Sequence, residues 1–176
     1  MRKDAPGFTL IECLIVLAVT AILFGLALPG FQEALHRQRT TTAMHLVSAQ
    51  LAQARNTAIT LRMPVTLCPS RGGGRCHDEP DWSAGWLLYL DPKRSSQPHS
   101  PQDILRDVQF PLHESIQVRA SGGRLRVRYQ QDGLAGGSNL TLRVCHSERL
   151  GGEIIVNNTG RVRTRKPSAG TVCPGY

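Results

Sequence analysis

A long apolar segment near the amino terminus constrains this chain more than any other feature. Residues 8–28 contain a single acidic or basic side chain, Glu12. As a helix this segment would span about 32 Å, close to the roughly 30 Å hydrocarbon thickness of a bilayer. Arg2 and Lys3 precede it, which predicts a cytoplasmic amino terminus and a translocated remainder. The run is longer than that of a secretory signal and lacks a following cleavage site of that kind, so we expect a permanent membrane anchor.

The start of this segment resembles a known processing signature. Residues 7–12 read GFTLIE, which is similar to the signature of type IV prepilins and pseudopilins. In that family a prepilin peptidase cuts after the glycine and methylates the new amino terminus. The resemblance therefore implies a leader peptide at residues 1–7, cleavage between Gly7 and Phe8, and N-methylation of Phe8. It further implies that Glu12 neutralises the amino group of an adjacent subunit during assembly, which would relieve the cost of placing either charge in lipid. Hydrophobicity alone leaves open a hydrated Glu12 at the headgroup level.

The helical pattern continues beyond the apolar segment and then gives way to short strands. Pro29 and Gly30 are predicted to kink the helix without ending it, so residues 29–62 are predicted to be its amphipathic continuation. In residues 63–176, short runs of β-forming residues alternate with Gly, Pro, Asn and Ser, which predicts a β-rich globular domain with a basic carboxyl-terminal region. The helix is expected to bury a stripe made of Ala43, Val47, Leu51, Ala54, Ala58 and Leu61. The predicted strands are residues 65–68, 85–90, 104–110, 116–119, 125–130, 140–145, 153–157 and 161–165.

The β-rich part is similar to one branch of the same family, the FimT/GspH minor pilins and pseudopilins. The resemblance is carried by residues 65–70, Cys76, Trp82, residues 85–87 and residues 159–163. It implies an α+β, type IV pilin-like fold in which a long N-terminal helix, transmembrane in its first half, packs on two antiparallel sheets. It also implies a single-pass inner-membrane protein with a periplasmic domain, placed after assembly in a type IV pilus on the cell surface. The implied partners are other major and minor pilins, the prepilin peptidase and the inner membrane.

Four of the five cysteines lie in the β-rich part. An even number of cysteines outside the cytoplasm favours disulfides. Three pairings are possible, and we favour Cys68–Cys76 with Cys145–Cys173. The alternative is a zinc site that adds His77 to three of these cysteines, but the chain has no CxxC pair, so we expect no metal.

Sequence motifs of common enzyme classes are absent. The chain lacks HExxH, GxSxG and a glycine-rich dinucleotide fingerprint, and its six histidines show no ligand spacing. We therefore expect no catalytic residues, no cofactor and no enzymatic activity.

Positive charge is concentrated in the last third of the chain. The formal net charge is +8, and residues 119–176 contain nine Arg and one Lys against three acids. Within residues 160–166, GRVRTRK, strand geometry would place Arg161, Arg163 and Arg165 on one face, about 6.6 Å apart. Guanidinium groups suit phosphate oxygens because they form paired hydrogen bonds. The alternative is an edge strand whose charge merely prevents aggregation.

This basic segment resembles a Gly-Arg-x-Arg motif that is implicated in DNA binding in FimT-like proteins of natural transformation. Residues 160–163 match it position by position. The resemblance implies a minor pilin that binds the DNA phosphate backbone without sequence specificity, for DNA uptake. The predicted DNA-binding residues are Gly160, Arg161, Arg163, Arg165 and Lys166, extended by Arg126, Arg128 and Arg143 if their strands are neighbours. The alternatives without DNA binding are a structural minor pilin that primes pilus assembly and a GspH-like pseudopilin of a type II secretion system.

Overall fold

A computed structural model describes residues 9–137, 139–168 and 170–174 of the chain. It contains one long helix, α1, over Leu10–Leu61, and the helix continues through Pro29. The strands are β1 Val65–Pro69, β2 Gly85–Leu90, β3 Ile104–Gln109, β4 Ile116–Ala120, β5 Val127–Tyr129, β6 Leu140–His146, β7 Arg149–Val156 and β8 Val162–Arg165. A 3-10 turn over Pro101–Asp103 precedes β3. The chain divides into two compact units, the first ending at Arg37 and the second beginning at Gln38.

The first unit consists, in its described part, of the apolar portion of α1. Its large side chains are exposed, with Leu17 at 66% and Leu26 at 75%. Within the described residues, α1 is long and apolar enough to cross a membrane. Exposed apolar surface of this extent is unfavourable in water, so these side chains need lipid or another apolar surface as their surroundings.

The second unit is built on two four-stranded antiparallel sheets. The first sheet has the order β3-β2-β1-β5 and the second has the order β4-β6-β7-β8. Strand alternation directs one face of each sheet inward: in β6, Leu140, Leu142 and Val144 are buried, whereas Thr141 and Arg143 between them are only partly covered. We call the opposite face of the second sheet, which carries Arg143, the outer face.

The second half of α1 fills the space along the inner faces of the two sheets. Its buried residues recur every three or four positions and join the main core, which also contains Trp82 and Trp86. This spacing produces one apolar stripe on a helix. The buried members of the stripe are Ala43, Val47, Leu51, Ala54 and Ala58. Leu61, which we expected in the stripe, is the last helical residue and remains 46% exposed. The predicted α+β fold is confirmed.

The largest difference between predicted and observed strands concerns β7. We predicted a start at residue 153 because two glycines precede it, but the strand begins at Arg149 and runs through Gly151 and Gly152. A Cβ on Gly151 would lie 2.3 Å from Thr40 Cγ2, and one on Gly152 would lie 2.2 Å from Met44 Sδ. The two glycines therefore permit close contact between β7 and α1 and do not break the strand.

Candidate functional site

The basic segment forms the last strand, at one edge of the second sheet. β8 pairs only with β7 in this sheet, with Arg163 opposite Ile155 and Arg165 opposite Glu153. Val162, which alternates with these arginines, is partly buried and packs against the core. Arg163 and Arg165 therefore lie on the outer face, as the alternation predicted, and both are exposed together with Lys166.

A tight turn presents the segment to solvent. The Asn157 Oδ1 atom accepts hydrogen bonds from the backbone N–H of Arg161, at 2.9 Å, and from the Thr159 hydroxyl, at 2.8 Å. Gly160 has a φ of +74°, and a Cβ at this position would lie 2.1 Å from the Gly133 carbonyl oxygen. The glycine of the predicted motif is therefore required by the fold itself, since the turn packs directly against the loop that contains Gly133.

The arginines of this segment differ in their electrostatic partners. Arg165 Nε donates to Glu153 Oε2 at 2.7 Å, and a second hydrogen bond joins Arg165 Nη2 to the same oxygen. Glu153 is only 7% exposed. Among the described residues, by contrast, Arg161 and Arg163 have no ion-pair partner, and both side chains are open to solvent.

Arg143 joins the same face from two strands away. It lies on β6 opposite Glu153, and Arg143 Nε is 3.6 Å from Glu153 Oε1. Each oxygen of the Glu153 carboxylate thus faces one guanidinium group, from Arg143 on one side and from Arg165 on the other. The prediction that Arg143 lies near the segment depended on strand order, and β7 alone separates the two strands.

The expected extension by Arg126 and Arg128 does not occur. These residues lie at and just before β5, which pairs with β1 in the first sheet, so their strand does not neighbour β8. Arg126 Nη2 donates to Asp78 Oδ1 at 2.8 Å. Arg128 Nε donates to Asp91 Oδ2 at 2.6 Å. The condition that we set for these two arginines is not met, because the last strand pairs within the other sheet.

Two residues of the outer face, Glu153 and Arg119, are not among those that the sequence assigned to the site. Arg119 lies on β4, directly opposite Arg143, and is exposed between the buried residues Val118 and Ala120. The alternation in Ile116–Ala120 already placed Arg119 on the face opposite the core. Its relation to β8 depends on the strand order of the second sheet, for which the sequence carries no local signal.

Both favoured disulfides are present, between Cys68 and Cys76 and between Cys145 and Cys173. The second bond attaches the segment after β8 to β6, and the Cys173 N–H donates to the Glu148 carbonyl oxygen at 2.8 Å. Because these sulfurs are joined to each other, they are not available as the thiolate ligands that the alternative zinc site would need.

Of the residues predicted to act in processing and assembly at the amino terminus, the structure describes Glu12. Gly7 and Phe8, the predicted cleavage residues, lie outside the described part of the chain. The Glu12 carboxylate accepts hydrogen bonds from the backbone N–H and the hydroxyl of Thr9, both at 2.8 Å. The proposed partner of Glu12 belongs to another subunit, so its role in assembly stays a prediction.

Comparisons with known proteins identify two regions of the sequence. The family described as type II transport protein GspH matches residues 43–160, and the prokaryotic N-terminal methylation motif matches residues 2–28. The fimbrial protein EcpC of Eikenella corrodens is 43% identical over 50 residues, which is 28% of this chain. That match spans 33% of the length of the relative.

Solved structures of similar fold include the type IV minor pilin FimU of Pseudomonas aeruginosa in two crystal forms. The TM-scores are 0.55 and 0.58, at sequence identities of 16% and 15%. The superpositions cover 76% and 78% of this chain and 97% and 95% of the respective FimU chains. At this level of identity the similarity establishes the fold.

Proposed function

The chain belongs to the GspH family of pilin-like proteins, and from that premise we propose that it is a minor pilin that binds DNA through the β7–β8 hairpin. It is a single-pass inner-membrane protein that is later incorporated into a pilus, where it contacts other pilins. We propose that residues 8–28 span the membrane, and that the prepilin peptidase removes residues 1–7 and methylates Phe8. The role in the pilus is structural and binding, without catalysis.

One observation carries the DNA-binding proposal. Arg161 and Arg163 are exposed beside each other on a hairpin whose turn is held by Asn157, and among the described residues neither has an ion-pair partner. A phosphate can therefore reach either guanidinium group without first breaking an ion pair, and the strand geometry limits the conformational entropy lost on binding.

The expected mechanism is neutralisation of backbone phosphates. Each cation that contacts a phosphate releases condensed counterions, which produces binding that weakens steeply with salt and depends little on sequence. A single hairpin offers few contacts, so its affinity is low, and several subunits on one DNA molecule would raise it through effective concentration. Retraction of the pilus by other machinery would then draw the DNA inward during natural transformation.

The test is a salt titration of DNA binding by the full chain in non-ionic detergent. We expect the fluorescence anisotropy of a labelled 30-bp duplex to rise on binding at low salt. The logarithm of the association constant falls linearly with the logarithm of the salt concentration. In the double variant Arg161→Gln/Arg163→Gln this slope should be less steep by about 1.8, because each lost phosphate contact removes about 0.9. The matched control is Arg75→Gln/Arg106→Gln, which removes the same charge from two exposed arginines elsewhere.

Equal binding by the double variant and its control would show that Arg161 and Arg163 do not contact DNA. Absence of binding by the unaltered chain would favour the alternatives, a minor pilin that only primes pilus assembly or, in line with the description of the matching family, a pseudopilin of a type II secretion system. Deletion of the chain would then abolish pili or secretion, whereas DNA affinity would be absent throughout.

A further inference from the structure

We propose that the DNA contact extends from the hairpin across the whole outer face of the second sheet, as far as Arg119 on the opposite edge strand, and that Glu153 limits its strength. This inference rests on the proposed function. It adds which residues the DNA contacts and which residue limits the affinity. The residues concerned form what we call the cross-strand row. In strand order its members are Arg119, Arg143, Glu153 and Arg165.

The pairing of the strands aligns the row. Arg119 is opposite Arg143, Arg143 is opposite Glu153, and Glu153 is opposite Arg165. The irregularity between β6 and β7 lies between Val144 and Cys145, beyond the row, so the register at Arg143 is regular. With neighbouring strands about 4.8 Å apart, the row is about 14 Å long and runs perpendicular to the strands.

The distribution of charge along the row favours an anionic ligand. Arg119 and Arg143 are directly opposite each other, and like charges in this position destabilise a sheet unless a counter-charge is present. Asp81, which pairs with Arg119 through the backbone, has its carboxylate 3.9 Å from Arg71, and among the described residues Arg119 itself has no ion-pair partner. Arg143 already faces the Glu153 carboxylate, so a phosphate above Arg119 would supply a negative charge at the end of the row that lacks one.

The row adjoins the hairpin arginines on the same face. The neighbouring row consists of Thr141, Ile155 and Arg163, of which the first two are uncharged. Arg163 and Arg165 thus occupy one edge of the face and Arg119 the other, with Arg143 between them. A nucleic-acid backbone laid across the sheet would meet arginines at both edges and Arg143 between them, with Glu153 as the acidic member of the row. The hairpin alone would contact it only at one end.

Glu153 lies beneath this path and opposes binding. Its buried carboxylate holds Arg165 through two hydrogen bonds and faces Arg143 at 3.6 Å. A phosphate must compete with this carboxylate for both guanidinium groups and is also repelled by it. Replacement by glutamine keeps the size and one acceptor oxygen but removes the charge, so it should release both arginines for phosphate.

The same anisotropy titration with the full chain tests the inference through single substitutions. Arg119→Gln should make the salt dependence of the association constant less steep, by about 0.9 in the slope of log K against log salt, and should weaken binding severalfold at low salt. Glu153→Gln should bind more tightly than the unaltered chain, with a steeper slope. The control is Arg106→Gln, which removes an exposed arginine from β3, the edge strand of the other sheet, and should leave the slope unchanged.

The outcomes separate this inference from the proposed function. If Arg161→Gln/Arg163→Gln reduces binding but Arg119→Gln behaves like Arg106→Gln, the extended footprint is wrong and the hairpin proposal stands. If the unaltered chain does not bind the duplex, both are wrong. A Glu153→Gln variant that binds no more tightly overturns the limiting role of Glu153. Should that variant fail to fold, Arg119→Gln still decides the footprint, because the Arg119 side chain is exposed and has no ion-pair partner among the described residues.

Discussion

Asp91 is a fully buried carboxylate that organises the loop after β2. Its oxygens accept hydrogen bonds from the Thr66 hydroxyl at 2.7 Å, the Ser95 N–H at 2.6 Å and Arg128 Nε at 2.6 Å. Arg128 also donates to the Ser95 carbonyl oxygen at 2.7 Å. Arg126 and Arg128 alternate along their segment as the β8 arginines do. The Arg128 guanidinium group, however, is bonded to Asp91 and Ser95, so its role is to stabilise the fold.

Truncation of Arg128 should destabilise the protein strongly. Arg128→Ala leaves the Asp91 charge buried without its partner, which typically costs about 3–5 kcal/mol of unfolding free energy. Arg163→Ala removes an exposed arginine on another strand and should change stability by no more than about 0.5 kcal/mol. Urea denaturation monitored by tryptophan fluorescence measures both. Adding Asp91→Asn to Arg128→Ala should recover part of the loss, and a failure to do so would contradict the buried-charge explanation.

Tyr129 should make the protein sensitive to alkali. Burial raises the pKa of its phenol to about 12, and among the described residues its hydroxyl has no hydrogen-bond partner. The unfolded chain releases this proton near pH 10, so the stabilising contribution is complete below pH 10 and is lost as the pH rises from 10 to 12. The expected loss from this group is about 2–3 kcal/mol.

The Tyr129→Phe variant isolates this effect. It should be as stable as the unaltered protein near neutral pH, or slightly more stable, because it removes a buried hydroxyl that has no hydrogen-bond partner in the described part of the chain. Its unfolding free energy should fall less between pH 10 and 12. Parallel alkaline unfolding curves for the two proteins would show that another group is responsible.

At the scale of elements, the β7–β8 hairpin depends on the close contact between its turn and the Gly133 loop. Two adjacent hydrogen bonds reinforce this contact: the Ala135 N–H donates to the Asn158 carbonyl oxygen at 2.9 Å, and Arg55 Nε donates to the Gly133 carbonyl oxygen at 3.1 Å. The position of the arginine-bearing strand is thus tied to α1 through an intermediate loop.

Gly160→Ala should disturb the hairpin much more than an equivalent change elsewhere. Gly73 also has a positive φ, +72°, but a Cβ there would meet nothing within 4 Å. Gly73→Ala should therefore cost only the left-handed backbone strain, about 1–2 kcal/mol. Gly160→Ala adds the 2.1 Å collision with the Gly133 oxygen and should cost more than twice as much in thermal unfolding. Equal losses would show that the turn does not need this close approach.

At the scale of the whole molecule, the two units of the chain have different surroundings. The residues before Gln38 expose large apolar side chains, whereas those after it form a core of helix and sheets with two disulfides. The division falls within α1, so one continuous helix supplies both the membrane segment and the central element of the globular part.

Two fragments should separate these contributions. A fragment of residues 38–176 keeps the buried helical stripe and should fold in water with cooperative unfolding and a near-UV circular dichroism signal from Trp82 and Trp86. A fragment of residues 62–176 retains both sheets and both disulfides but loses five buried apolar residues of α1. Its inner sheet faces would be exposed, so it should aggregate or lack that signal. An identical spectrum and stability for the two fragments would contradict the central role of α1.

Much of the local structure was predictable from individual residues. The apolar segment around Glu12 predicted the exposed apolar part of α1. The buried stripe from Ala43 to Ala58, in the second half of the helix, was also predicted correctly, because helical spacing is a local property. All eight strand regions were located by alternation and turn residues. The error at Gly151 and Gly152 arose because these glycines fit against Thr40 and Met44, residues more than a hundred positions away.

The composition of the outer face was not predictable in the same way. Alternation along one strand places Arg163 or Arg119 on a face, but strand pairing decides which arginines share that face. Arg119 thereby entered the cross-strand row, Arg126 and Arg128 were assigned to the first sheet, and Glu153 came to lie between two guanidinium groups. The sequence by itself determined the membrane helix, the strand segments and the chemistry of the basic hairpin, since each depends on neighbouring residues. Only the tertiary structure decided which charges share a face, because strand pairing places residues as distant in sequence as Arg119 and Arg165 in one row through contacts that no local pattern encodes.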